Sequence, residues 1–148
     1  MSLLKNTLVV GGIATAATTV AALVFSRAEK KPATAAINAV SHIAWGDTAF
    51  KHEKPSIKHT ATGGVLNGAA MMMWSGLLQL VLPKKRRNLP ETLAKSAAVA
   101  TAAYVVDYHV VPQRLTPGFE EKLSKKALFG IYAVMAISMA AASISREG

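Results

Sequence analysis

Four histidines, His42, His52, His59 and His109, together with Asp47, Asp107 and Arg114, are the side chains suited to metal ligation, proton transfer or capture of a polar solute. The chain has no cysteine, which removes disulfides, thiolate metal sites and thiol nucleophiles. No HExxH spacing, nucleophile elbow or phosphate loop is present. Ser41 and His42 are neighbours, but adjacent residues on a helix do not face each other as nucleophile and base. These motifs name no catalytic residue and call for no cofactor. The candidate site is therefore a polar cluster of His42, Asp47, His59, Asp107, His109 and Arg114. A metal on His42, His59 and either Asp107 or His109 is geometrically open, and no spacing specifies it.

The elements that must position these groups follow from hydropathy. Of 148 residues, 51% are hydrophobic and 17% charged, and the net charge of +9 sits in short clumps between long uncharged runs. A bilayer core about 30 Å thick takes roughly 20 apolar helical residues to cross. Four runs approach that length, at 7–26, 60–82, 92–111 and 127–144, and they predict an all-α integral membrane bundle of four transmembrane helices in a single domain, 1–148. The first run carries too long an apolar stretch for a secretory signal and is expected to stay as an anchor. Between the first two spans, 33–46 predicts a short interfacial or re-entrant helix, with Trp45 at headgroup level. Pro90 and Glu91 suit a helix start, Pro112 closes the third span, and Ser124 suits the cap of the fourth.

Topology then gathers the polar residues. The end of the second span at Thr60 can be named side X, and its end at Leu82 side Y. The first and third connections both lie on X, so all four histidines share that side with Asp47, Asp107 and Arg114. Asp107 sits about one turn inside its span, where a carboxylate is costly, and Lys58, His59 or Arg114 is expected as its partner. His109 follows two residues later and points about 200° away, so the pair cannot share a metal easily. Structural roles stand beside each functional one: an ion pair for Asp107, an interfacial hydrogen bond for His42, and solvation for His52.

Helices in lipid associate by close backbone approach and a few hydrogen bonds. Gly64 and Gly68 stand at GxxxG spacing, followed by Gly76, with Asn67 on a neighbouring ridge; these are the expected packing residues. They suit a tight bundle, a homo-oligomer or docking into a larger membrane complex. Met71, Met72 and Met73 point about 100° apart in turn, so they predict packing rather than a thioether metal site. Lys84, Lys85, Arg86 and Arg87 form the shortest and densest basic loop. They predict contact with anionic lipid headgroups and place side Y, with both termini, in the cytoplasm, although side X carries more Lys and Arg in total. No basic, aromatic-studded groove points to nucleic acid.

The blocks NAVSHIAWGD (38–47), HTATGG (59–64) and YVVDYHVVPQRLTPGF (104–119) resemble those of small bacterial inner-membrane proteins without a known activity. That resemblance implies a bacterial four-helix membrane protein and no reaction. Abundant small-residue packing without a catalytic motif leads to a structural, assembly or accessory role. The alternatives are a small-solute, proton or metal carrier working through the His/Asp cluster, and a lipid-modifying or redox enzyme at the membrane face.

Overall fold

The computed structural model describes residues 2–146, whose regular elements are all helices and turns of helix, with no strand among them. Three helices, Leu3–Ala28, Ile57–Val81 and Lys125–Ile144, are long and apolar enough to cross a membrane. The first, α1 (Leu3–Ala28), has 26 residues and is about 39 Å long at 1.5 Å per residue, longer at both ends than the apolar run that predicts it. Ser2 caps its start by accepting a bond from the Lys5 amide. Next come two short helices, α2 (Ala35–Val40) and α3 (His42–Trp45), and a 3₁₀ turn at Asp47–Lys51. A wide π turn at Ile57–Ala61 leads into α4 (Thr62–Val81). The fifth helix, α5 (Leu89–Val105), also ends in a π turn, Val106–Val110, and α6 (Lys125–Ile144) follows two 3₁₀ turns.

The four expected long helices are present, and three of them meet the length and hydropathy needed to span. The region expected at 92–111 is the exception: its regular part is only 17 residues, and Glu91, Lys95 and Asp107 interrupt its apolar character. The segment expected at 33–46 differs more. It is split at Ser41 instead of forming one helix, and every residue of α2 is buried. It is therefore a plug packed against α1 and α4 at the X end, not a helix lying on the surface. Only its end, at Trp45, is exposed, at 46%.

The bundle buries polar side chains within an apolar core and exposes large apolar ones on its outer face. Asn6, Thr18, Asn67, Ser75, Gln79, Thr92, Ser96 and Ser143 are buried among the helices. Leu8, Val20, Val24, Val65, Leu80, Leu93, Phe129 and Ile137 face outward. Water disfavours so apolar an outer face, whereas lipid tolerates it, and inside the bundle Asn67 bonds Thr18 and Gln79 bonds Ser143 across helices. Val10, Ala14, Met71, Trp74, Leu78, Met135 and Met139 form one packed block between α1, α4 and α6.

Helix ends are tied to one another. At side Y, Lys95 donates to the Val81 carbonyl at the end of α4, and Arg87 donates to the Ser143 carbonyl near the end of α6, where cations suit the dipole. At side X, the Ser124 amide and hydroxyl donate to the Glu29 carboxylate, at 2.9 and 2.6 Å, joining the end of α1 to the start of α6. These bonds hold the Glu29 carboxyl below the usual carboxylate range. A depressed value means stability present above the ordinary carboxylate value and lost as pH falls through the lower folded-state value. Glu29→Gln should therefore lower the unfolding midpoint at neutral pH by an amount worth no more than about 1 kcal/mol at this solvent-facing site. The difference from the parent should shrink as pH falls below the ordinary carboxylate value and vanish once pH is below the lower folded-state value; a difference that persists in strong acid would assign the effect to packing instead.

Candidate functional site

The X end is built on α2. Gly63 lets the plug approach α4, since a Cβ at that position would lie 1.9 Å from the Ile37 carbonyl oxygen. Gly118, at φ 87°, does the same below the plug, where a Cβ would meet the Ala39 carbonyl at 2.8 Å and the His42 ring at 3.0 Å. Between these two contacts Asn38 is fully enclosed, at 0% exposure. Its Nδ2 donates to the His52 and Lys54 carbonyls at 2.8 and 2.7 Å, and its Oδ1 accepts from the Thr60 hydroxyl at 2.6 Å. Thr34 ties the same loop by donating to the Glu53 carbonyl, and Lys122 pairs with the Glu53 carboxylate. Lys31 donates to the Lys122 carbonyl.

The histidines do lie at this end, but they do not converge. His42 is buried, and its Nε2 donates to the Thr116 carbonyl at 2.6 Å, while its ring lies beside Phe50. A carbonyl can only accept, so the proton sits on Nε2. His59 is bonded through Nδ1 to the Ser41 hydroxyl at 3.0 Å and stacks on His52, with ring centroids 4.3 Å apart. Ser41 already donates to the Asn38 carbonyl, so His59 Nδ1 carries the donated proton. His109 is exposed, with Tyr104 as its ring neighbour. Among the described residues no group of three His, Cys, Asp or Glu side chains is placed to hold a metal ion. The His42, His59 and Asp107 or His109 arrangement is thereby corrected: each ring has turned to a backbone carbonyl, a hydroxyl or another ring.

The expected cations also go elsewhere. Arg114 donates from Nε to the Ile43 carbonyl, and Lys58 lies over the Trp45 ring at 4.9 Å. Trp45 in turn donates to the Lys58 carbonyl and the Thr62 hydroxyl, stitching α3 to the start of α4. Asp47 is exposed and outside this network. Asp107 instead accepts a 2.6 Å bond from the Tyr132 hydroxyl of α6. Composition could not single out that partner, because a tyrosine deep in an apolar helix reads as core.

Deeper in the bundle, the packing residues behave unevenly. Gly68 and Gly76 face Thr15 and Thr7 of α1, with Cβ positions 3.5 Å from their methyl groups. Gly64 faces open space, and the close approach belongs to its neighbour Gly63. Asn67 donates to Thr18 and Thr19 of α1, at 3.0 and 3.3 Å. A cavity of about 80 Å³ lies beside it, lined among others by Thr18, Asn67, Asp107, Phe119 and Tyr132. Both π turns fall at this end and carry His59 and Asp107, in keeping with the tendency of such turns to mark functional positions.

The X end thus holds two separate arrangements. One is a hydrogen-bonded plug centred on Asn38, and the other is a carboxylate beside a partly open cavity. Comparison with protein-family models, curated proteins and solved structures finds no match, so the functional reading rests on this geometry.

Proposed function

We propose that this chain is an integral membrane protein with a structural, assembly or accessory role, crossing a bacterial inner membrane four times with both termini cytoplasmic. The observation that carries the membrane reading is the outer face of the bundle, where large apolar side chains are exposed, while Asn67 bonds Thr18 and Gln79 bonds Ser143 between helices. The fourth crossing is α5 with its π turn, in which Lys95 and Glu91 reach the Y headgroup level and Asp107 the X level. In the accessory role, the plug's side chains are spent on backbone carbonyls, which suits a fixed frame better than a reaction centre.

Partners follow from the surface. Lys84, Lys85 and Arg86 are exposed, the chemistry for anionic headgroups, while Arg87 turns inward to the end of α6. Between α5 and α6, Ala97, Ala133 and Ala136 floor an open groove flanked by Phe129, 74% exposed, and Ile137. That small-residue floor supports association with a second copy or a larger membrane complex. The enzyme alternative loses its support with the dispersal of the histidines. The carrier alternative retains one observation, the cavity at Asp107.

The absence of cysteine makes topology directly testable. Single substitutions Asp47→Cys and Lys85→Cys should be reached by an impermeant maleimide from opposite sides, the first from outside intact cells and the second only after permeabilisation. The reverse pattern would overturn the orientation alone. Labelling of both from one side would sink the four-crossing architecture.

A further inference from the structure

Thr18, Asn67 and Tyr132 line the cavity at Asp107 and have their donors in use, while the buried Tyr108 hydroxyl beside the Tyr132 ring makes no hydrogen bond. Thr18 donates its hydroxyl to the Ala14 carbonyl at 2.8 Å. Asn67 sends both Nδ2 hydrogens to Thr18 and Thr19. Tyr132 donates its hydroxyl to Asp107. What remains is acceptors: Asn67 Oδ1 and Asp107 Oδ1 take no hydrogen bond among the described residues. No lysine, arginine or histidine among those residues pairs with Asp107 either; Lys95 pairs with Glu91 and Lys122 with Glu53.

A half-buried carboxylate against a mostly apolar lining without a cation is costly, and so are unfilled acceptors. An occupant that answers both must be small, positively charged and rich in N–H donors. A metal cation of the sodium kind needs a shell of oxygens, whereas most of this lining is carbon, including Val40, Leu66 and Met135. An alkylammonium ion suits carbon better, because its methyl group takes the apolar wall and the Phe119 and Tyr132 rings can face its charge. We propose that this cavity is a binding site for a small ammonium-type cation, with Asp107 as its counter-ion and Asn67 as its second acceptor. The site goes beyond the accessory role and does not depend on it: a fixed frame can hold a ligand without moving it across the membrane.

The test is calorimetric titration of the full chain in lipid nanodiscs with methylammonium chloride, against sodium chloride at the same ionic strength. Saturable heat with methylammonium and none with sodium is the expected result. Asp107→Asn keeps an acceptor for Tyr132 but removes the charge, and should weaken binding at least about tenfold. Ala70→Leu keeps the charge and fills the cavity, and should do the same, so the question stays decidable if Asp107→Asn loses its fold in a thermal melt. No saturable heat in the parent chain would overturn the proposal. Undiminished binding in folded Asp107→Asn or in Ala70→Leu would also overturn it, by placing the ion elsewhere.

Discussion

Gly63→Ala should unfasten the X end of the bundle, while Gly64→Ala, one residue further, should leave it intact or slightly more stable. The two substitutions add the same methyl group to the same helix, where alanine is intrinsically better than glycine by about 1 kcal/mol. They differ in what the methyl group meets. At Gly63 it would lie 1.9 Å from the Ile37 carbonyl oxygen and 2.9 Å from its carbon, both backbone atoms that no rotamer change can move. At Gly64 nothing lies within 4 Å. Relief at Gly63 requires α2 to lift off α4, which stretches the bonds from Asn38 to the 52–60 region. Overpacking of this kind costs about 3 kcal/mol or more. Unfolding midpoints in nanodiscs for the two variants against the parent chain check the contrast. Equal stability of the two would mean that the plug does not rest on Gly63.

This pair of glycines also marks the boundary of what the sequence makes legible. Apolar run length locates the long helices because a membrane imposes one length and one conformation on every crossing. The GxxxG spacing of Gly64 and Gly68 names a face, but Gly63, four residues before Asn67, belongs to the ridge that is actually buried. Two consecutive glycines satisfy either register, and only the plug decides between them. The plug itself was half visible: 33–46 reads as helical and too short to span, but its depth depends on Gly63 and Gly118 yielding space from both sides.

The candidate site divides in the same way. Placement of the four histidines at one end follows from the order of the spans, since helices that alternate in direction must return their connections to alternate faces. Their failure to converge does not follow, because His42 and Arg114 bond to backbone carbonyls, and every residue offers one of those. Asp107 was legible as a costly carboxylate. The sequence points to the charges of nearby loops as its partner, whereas the bond comes from Tyr132, an uncharged residue one helix away. Glu29 and Ser124 are 95 positions apart and carried no signal before the ends of α1 and α6 were placed side by side.

Asn38→Ala is expected to have the second large effect, and its footprint is more diagnostic than its size. The substitution removes three bonds at once and leaves the His52 and Lys54 carbonyls and the Thr60 hydroxyl without their partner. Each buried group stranded in this way costs about 1–3 kcal/mol, reduced where water can enter, so a total of about 3–5 kcal/mol is expected. Thr60 also accepts from the Ser56 amide, so the start of α4 loosens with the loop. The apolar bodies of α1, α4 and α6 do not pass through Asn38 and should hold. Hydrogen exchange should therefore accelerate at the amides of residues 52–60, together with loss of the His52–His59 stack, while the centre of α6 keeps its protection. Asn38→Asp separates the donors from the acceptor: it retains an oxygen for Thr60 but sets a carboxylate against two carbonyls, and should be no more stable than the alanine variant. If exchange at 52–60 is unchanged in Asn38→Ala, the loop is held by Thr34, Lys122 and the histidine stack instead, and the plug is not the keystone of side X.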